Sequence, residues 1–264
     1  MRRPADERFV FLSCEKYHTI FPEKAQGTLD KSAGKFYHRG RTQKGGGAVE
    51  ARRTIEILYQ DGALLVCVKP AGVPSEGTEE GALPVLLARQ TGGPVFPVHR
   101  LDQAASGLMV FARSRGAAAA LSDAMASGGV RKEYFALISG APEPPEGRLE
   151  DLLFKDARRG KVFVVKSLRK GVRPAALTYR VLQRQGDAAL VQVALETGRT
   201  HQIRVQFASR GMPLLGDGKY GSRIKGGLML WSCRLVFPHP SDGRRMAFYR
   251  APDWAGWRFP ADKA

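Results

Sequence analysis

Apolar positions are scattered without a clear period up to about residue 50, and from Ile55 onward they gather into short runs separated by turn residues. IEILYQ (55–60), the Asp61-Gly62 pair and LLVCVK (64–69) predict a hairpin that stops at Pro70. Further strand-like runs occur at 107–113, 132–139, 177–184, 188–196 and 228–237. Helical patterns are fewer: 83–90, the alanine-rich 115–127, and THQIRVQFASRG (200–211), where Thr200 is placed to cap and Gly211 to terminate. Many strands and few helices predict an α+β fold, with a central, mainly antiparallel sheet flanked by helices.

The aperiodic first 50 residues read as an N-terminal extension and linker, punctuated by Pro4, Pro22 and Gly45-Gly46-Gly47. The glycine triplet is not followed by Gly-Lys-Ser/Thr and so does not read as a phosphate loop. Residues 51–264 are expected to form one domain, and 264 residues suffice to bury a core without staples.

Composition changes the picture through charge. There are 42 Lys+Arg against 25 Asp+Glu, a formal net charge of +17, which points to a polyanionic partner. The densest basic stretch, 155–173, carries eight Lys/Arg against Asp156; a second, 198–226, interleaves its charges with glycines and Tyr220. No apolar run approaches the ~18 residues of a membrane span, and neither a signal peptide nor an anchor is read at the N-terminus. Cys14, Cys67 and Cys233 are odd in number and far apart, so they suggest neither a disulfide framework nor a zinc site. The expectation is a cytoplasmic monomer without a metal or a membrane association.

Candidate chemistry begins at VHRLDQAASGLMVFARS (98–114). Asp102 follows His99 and Arg100 and lies on a loop at the mouth of an apolar strand, where sites are often built. An arginine nearby keeps a carboxylate ionised and able to act as nucleophile or base, although a lone loop Asp is more often a cap or turn residue.

HRLDQAASGL, together with KPAGVPSEG (69–77), KEYFALISG (132–140) and ETGRTHQIRVQFASRGMPLLGDGKYG (196–221), resembles in order and spacing the signature segments of the RluA-type RNA pseudouridine synthases. The resemblance covers about residues 55–240. Residues 1–50 lie outside it and show no counterpart of the S4-type RNA-binding domain that many relatives carry. It implies that Asp102 attacks a flipped-out uridine at the sugar C1′ or the uracil C6, after which the detached base rotates and rejoins through C5, with no cofactor. It also implies that Arg204 pairs with Asp102, that Tyr134 packs on the target base, and that Arg100 fills the space left by the flipped nucleotide or contacts phosphate. Arg199, His201, Lys219 and Tyr220 are the further expected RNA contacts, while His99 reads as structural. Two positions depart from the family pattern: Ala105, where Thr is frequent, and Gln206, where His is frequent. The expected activity is isomerisation of a uridine in rRNA or tRNA; the alternative is a catalytically inactive RNA-binding or ribosome-assembly protein on the same fold. A hydrolase using two matched carboxylates is disfavoured, because no motif places a second acid.

Overall fold

The computed structural model describes residues 54–262, so the expected extension and linker at 1–50, and Cys14, lie outside the described residues. The hairpin read at Asp61-Gly62 forms: β1 (Glu56–Gln60) pairs antiparallel with β2 (Leu64–Lys69). Asp61 Oδ1 accepts from the N–H groups of Ala63 and Leu64 and so closes the turn.

Then follow α1 (Leu83–Thr91), β3 (Phe96–Pro97), β4 (Ser106–Ala112), α2 (Arg115–Ala126), β5 (Arg131–Ser139), β6 (Glu146–Asp156), β7 (Lys161–Val165), β8 (Val172–Gln185), β9 (Ala188–Leu195), α3 (Gln202–Ala208), β10 (Leu230–Pro238) and β11 (Arg245–Tyr249). All the strands join one mixed sheet of order β1-β2-β4-β10-β5-β9-β8-β6-β7, with β3 beside β4 and β11 beside β10. Every pairing is antiparallel except β4 with β10, where Ser106 and Gly107 lie beside Trp231 and Ser232. The α+β class and the mainly antiparallel sheet agree with the sequence pattern.

Strands covered on both faces explain the unbroken apolar runs. Leu64, Val66, Leu108 and Val110 pack with Ala117 and Leu121 of α2 on one face. Their neighbours Leu65, Cys67, Met109 and Phe111 join Leu83 and Leu87 of α1 and Ile203 and Phe207 of α3 on the other. Tyr134, Ala136 and Ile138 of β5 point to that second face. α2 is capped as its sequence suggests, Ser114 Oγ accepting from the Ala117 N–H.

Elements missed by the sequence pattern are β3, β6, β7 and β11. The basic stretch 155–173 is mostly the β6–β7 hairpin and its exit into β8, with Leu153, Val162 and Ala175 packed beneath it on Val205 and Tyr220. Its charges masked the strand period. The third helix also differs from expectation: it starts at Gln202, and its N-cap is His201 in the left-handed region (φ 52°), not Thr200. The turn is held instead by Gln202, whose Oε1 accepts from the Thr197 hydroxyl and the Arg199 N–H, and whose Nε2 donates to the Ala176 carbonyl.

Candidate active site

The loop between β3 and β4 carries Asp102, and a buried lysine shapes it. Lys69, at the end of β2 and without solvent exposure, donates its ammonium to the carbonyls of Pro70 (2.8 Å), Gln103 (3.0 Å) and Ala105 (2.7 Å). Two of the three carbonyls follow Asp102 in the loop, so the ammonium ties the exit side of the loop to the end of β2. Burial lowers the Lys69 pKa to about 8, against the opposing pull of the Asp102 charge. The Gly72 N–H donates to the Gln103 carbonyl at 2.8 Å, and Ser75 Oγ accepts from the Leu101 N–H at 3.2 Å, completing the clamp.

Across from this loop, α3 presents Arg204. Its Nη1 donates to Asp102 Oδ2 at 2.9 Å. Its Nε and Nη2 make a two-pronged pair with Asp217, at 2.7 and 2.8 Å. Asp102 Oδ1 accepts no hydrogen bond from any described residue and remains open to the cleft. The side chains of Asp217 and Arg204 are 1% and 7% exposed, and that of Asp102 15%. The Tyr220 ring lies under the guanidinium, 5.1 Å from its carbon, and the Tyr220 hydroxyl accepts from the Val162 N–H at 2.9 Å.

The cleft has a volume of about 230 Å³ and is lined by Asp102, Arg204, Tyr134, Ile203, Leu195 and Leu230 among others. Tyr134, buried on β5, forms part of its floor. Burial first, and the Asp102 charge second, raise its hydroxyl well above the usual tyrosine range, so it stays a neutral phenol.

The structure thus brings together Asp102, Tyr134 and Arg204. Arg100, Arg199 and His201 also line the cleft. Arg100 pairs with Glu76 at 2.9 Å while remaining largely exposed. Arg199 is exposed and donates Nε to the Pro174 carbonyl. His201 shares a 2.8 Å hydrogen bond between Nδ1 and the Tyr220 hydroxyl, and its Nε2 is 3.9 Å from Asp102 Oδ2. Burial pushes the His201 pKa below its usual value. Lys219 lies outside the cleft lining, exposed, with its ammonium donating to the Gly160 carbonyl. Tyr220 is buried beneath Arg204 as a support.

Gln206, one of the departures from the family pattern, faces away from the cleft and donates to Asp151 Oδ2 at 2.8 Å, joining α3 to β6. Two important side chains were missed. Asp217 sits inside the quoted GD..YG segment, yet only the tertiary contact shows that it takes both parallel donors of Arg204. Lys69 sits in KPAG, where it reads as an ordinary polar strand end. Among the described residues no group of three or more His, Cys, Asp or Glu side chains could hold a metal ion, and no helix is long and apolar enough to cross a membrane.

The family model for RNA pseudouridylate synthases matches residues 63–209. An uncharacterized RNA pseudouridine synthase of Chloroflexus aurantiacus is 40% identical over 195 residues, covering 68% of this chain and 60% of that protein. Ribosomal large subunit pseudouridine synthase D of Zymomonas mobilis is 33% identical over 217 residues, 74% of this chain and 68% of its own. The solved human RNA Pseudouridylate Synthase Domain Containing 4 superposes with a TM-score of 0.63 at 25% identity, over 75% of this chain and 89% of that one. With the Asp102 loop, Tyr134 and Arg204 meeting in one cleft and the family match running through all three, the chain belongs to the RNA pseudouridylate synthase family, enzymes that isomerise uridine in RNA.

Proposed function

We propose that this protein converts a uridine in RNA to pseudouridine and that Asp102 is its reactive carboxylate. The observation that carries this reading is the division of labour around Arg204. Its charge is matched by Asp217, and its third donor orients Asp102 through Oδ2 alone, so Oδ1 keeps lone pairs free for attack. A carboxylate gripped at both oxygens would be a poorer nucleophile.

In the net reaction the N1–C1′ bond breaks, the C5–C1′ bond forms, C5 loses a proton and N1 gains one. Attack by Asp102 at C1′ fits this balance with the carboxylate displaced as C5 joins the sugar; attack at C6 fits it with the carboxylate expelled from C6 afterwards, as C5 loses its proton and the C5=C6 double bond returns. The flat, buried face of Tyr134 and the apolar walls Leu195, Ile203 and Leu230 suit a detached uracil held without water. Bringing a uridine into the cleft requires it to leave its stack, at a cost of a few kcal/mol. Arg100 and Arg199 at the rim supply cations for the displaced backbone.

Large-subunit ribosomal RNA is the substrate class proposed here, on the likeness to a relative named for that subunit. The test is pseudouridine formation on an unmodified, in vitro-transcribed large-subunit RNA, with Asp102→Asn beside the wild type. The variant is expected to bind within a few-fold of wild type and to form no pseudouridine. An Asn variant working near the wild-type rate would remove Asp102 from its role.

A further inference from the structure

Lys132 occupies an unusual position for a cation. It lies on β5 two residues before Tyr134, on the same face, and lines the same cleft. The side chain is half-buried, yet among the described residues the ammonium meets only the weak acceptor Met125 Sδ, at 3.9 Å. Every other acid near the cleft is committed elsewhere: Asp102 and Asp217 to Arg204, Glu76 to Arg100, and Glu133 to Arg131. Its one titrating neighbour, His99, is held neutral, because burial and then the Lys132 charge lower it to about 3. Burial also lowers Lys132 itself, with no carboxylate opposing the shift.

A half-buried charge without a counter-ion is costly, and an anionic ligand removes that cost. The approach to the ammonium is clear on one side, where Gly198 has no side chain; a Cβ there would lie 3.4 Å from Nζ. Two residues along a strand face separate side chains by roughly 7 Å, a distance comparable to that from a nucleobase to its own phosphate.

We propose that Lys132 binds the phosphate of the nucleotide whose base rests on Tyr134, and so sets how deep the uridine enters. The proposal rests on the RNA-modifying reading of the cleft and adds the anchor that positions the substrate.

Two measurements test it. The first uses unmodified large-subunit RNA transcript and compares Lys132→Met, Lys132→Gln and Lys132→Arg with wild type, each also in the Asp102→Asn background. Met and Gln are expected to raise the half-saturating concentration about tenfold while turnover at saturation falls less than threefold. They should also flatten the dependence of log Kd on log salt by roughly 0.7, one phosphate contact on a single strand. Arg should retain the wild-type salt slope. An unchanged slope in Met and Gln, or a defect confined to turnover, would overturn the assignment.

The second measurement is independent of RNA and turnover: acylation of Lys132 followed by mass spectrometry. Uridine 5′-monophosphate should protect the ammonium and uridine should not. Equal protection by both, or by neither, also overturns the proposal. A wild type that leaves the transcript unmodified while the monophosphate still protects Lys132 would refute large-subunit RNA as the substrate and leave the phosphate anchor standing.

Discussion

Arg204 gives two parallel N–H groups, from Nε and Nη2, to Asp217 and one from Nη1 to Asp102, so the carboxylate that never reaches the cleft holds the arginine more firmly than the one that does. Removing one partner of a buried pair costs about 3–5 kcal/mol. Asp217→Asn should therefore lower the melting temperature by on the order of 10 °C for a domain of this size. Pseudouridine formation should fall at least a hundredfold, because the released guanidinium is then free to grip both oxygens of Asp102. Calorimetry and a single-turnover assay read the two effects separately.

Arg204→Lys keeps the charge and loses the geometry. A lysine ammonium cannot match the planar fork that faces Asp217 and also reach Asp102. The variant is expected to fold with a lowered melting temperature, to retain RNA affinity within a few-fold, and to lose most of its activity. A Lys variant with wild-type turnover would mean that the orientation of Asp102 is set by the Lys69 clamp alone.

His99 supplies a pH test. Its Nε2 accepts from the Val110 N–H at 3.1 Å, and its pKa is lowered to about 3 by burial and then by Lys132. In the unfolded chain the ring takes up a proton near pH 6.5, whereas the folded chain resists protonation until about pH 3. Its stabilising contribution is thus complete above pH 6.5 and is lost as pH falls toward 3. Relative to His99→Gln, the wild type should lose about 1–3 kcal/mol of stability between pH 7 and pH 4, measured by urea unfolding of both proteins. Parallel pH profiles would show that the ring titrates normally.

Gly107 joins the two halves of the site. It has φ +112°, and a Cβ on it would sit 2.3 Å from the Ser232 carbonyl oxygen and 2.5 Å from the Ser232 nitrogen. Ser232 pairs on its other side with Tyr134. Gly107→Ala should destabilise the fold by more than about 3 kcal/mol, through both the forbidden φ and the backbone clash. Soluble yield and the urea midpoint are the measurements; a variant as stable as wild type would contradict the close approach.

The basic surface predicts a steep salt dependence. Lys155, Arg158, Lys166, Lys170 and Arg173 are exposed on or beside the β6–β7 hairpin. If several of them meet phosphates, log affinity should fall against log salt with a slope of roughly −0.7 to −0.9 per contact. A filter-binding titration from low to physiological salt decides it, and a flat line would reduce the surface to a solubility device.

The sequence made the strands nearest the site legible where apolar residues ran uninterrupted, as in β2, β4, β5 and β9. It failed at β6 and β7, because a hairpin whose outer face is Lys and Arg presents charge more strongly than period. The pairing of Asp102 with Arg204 was legible through the motif match. The reason for it was not: helix spacing from Thr200 gave the wrong starting residue, since His201 takes up the left-handed cap that turns Arg204 inward. Asp217 and Lys69 carried no signal of their own, because a side chain's burial and its partners are tertiary facts. The strand order was equally hidden, since residues near 231 must travel back to lie beside 106.

That return of β10 has a consequence for the order of synthesis. Asp102 enters through strands made early, and Tyr134 and Arg204 belong to segments made later; the strand that joins β4 to β5 follows all three in the chain. Pairing across so long a stretch of sequence waits on chain closure and forms late. A chain lacking residues 230–238 would therefore leave Asp102 and Tyr134 on two groups of strands with no hydrogen-bonded strand between them, and the cleft is expected to assemble only once that segment is in place.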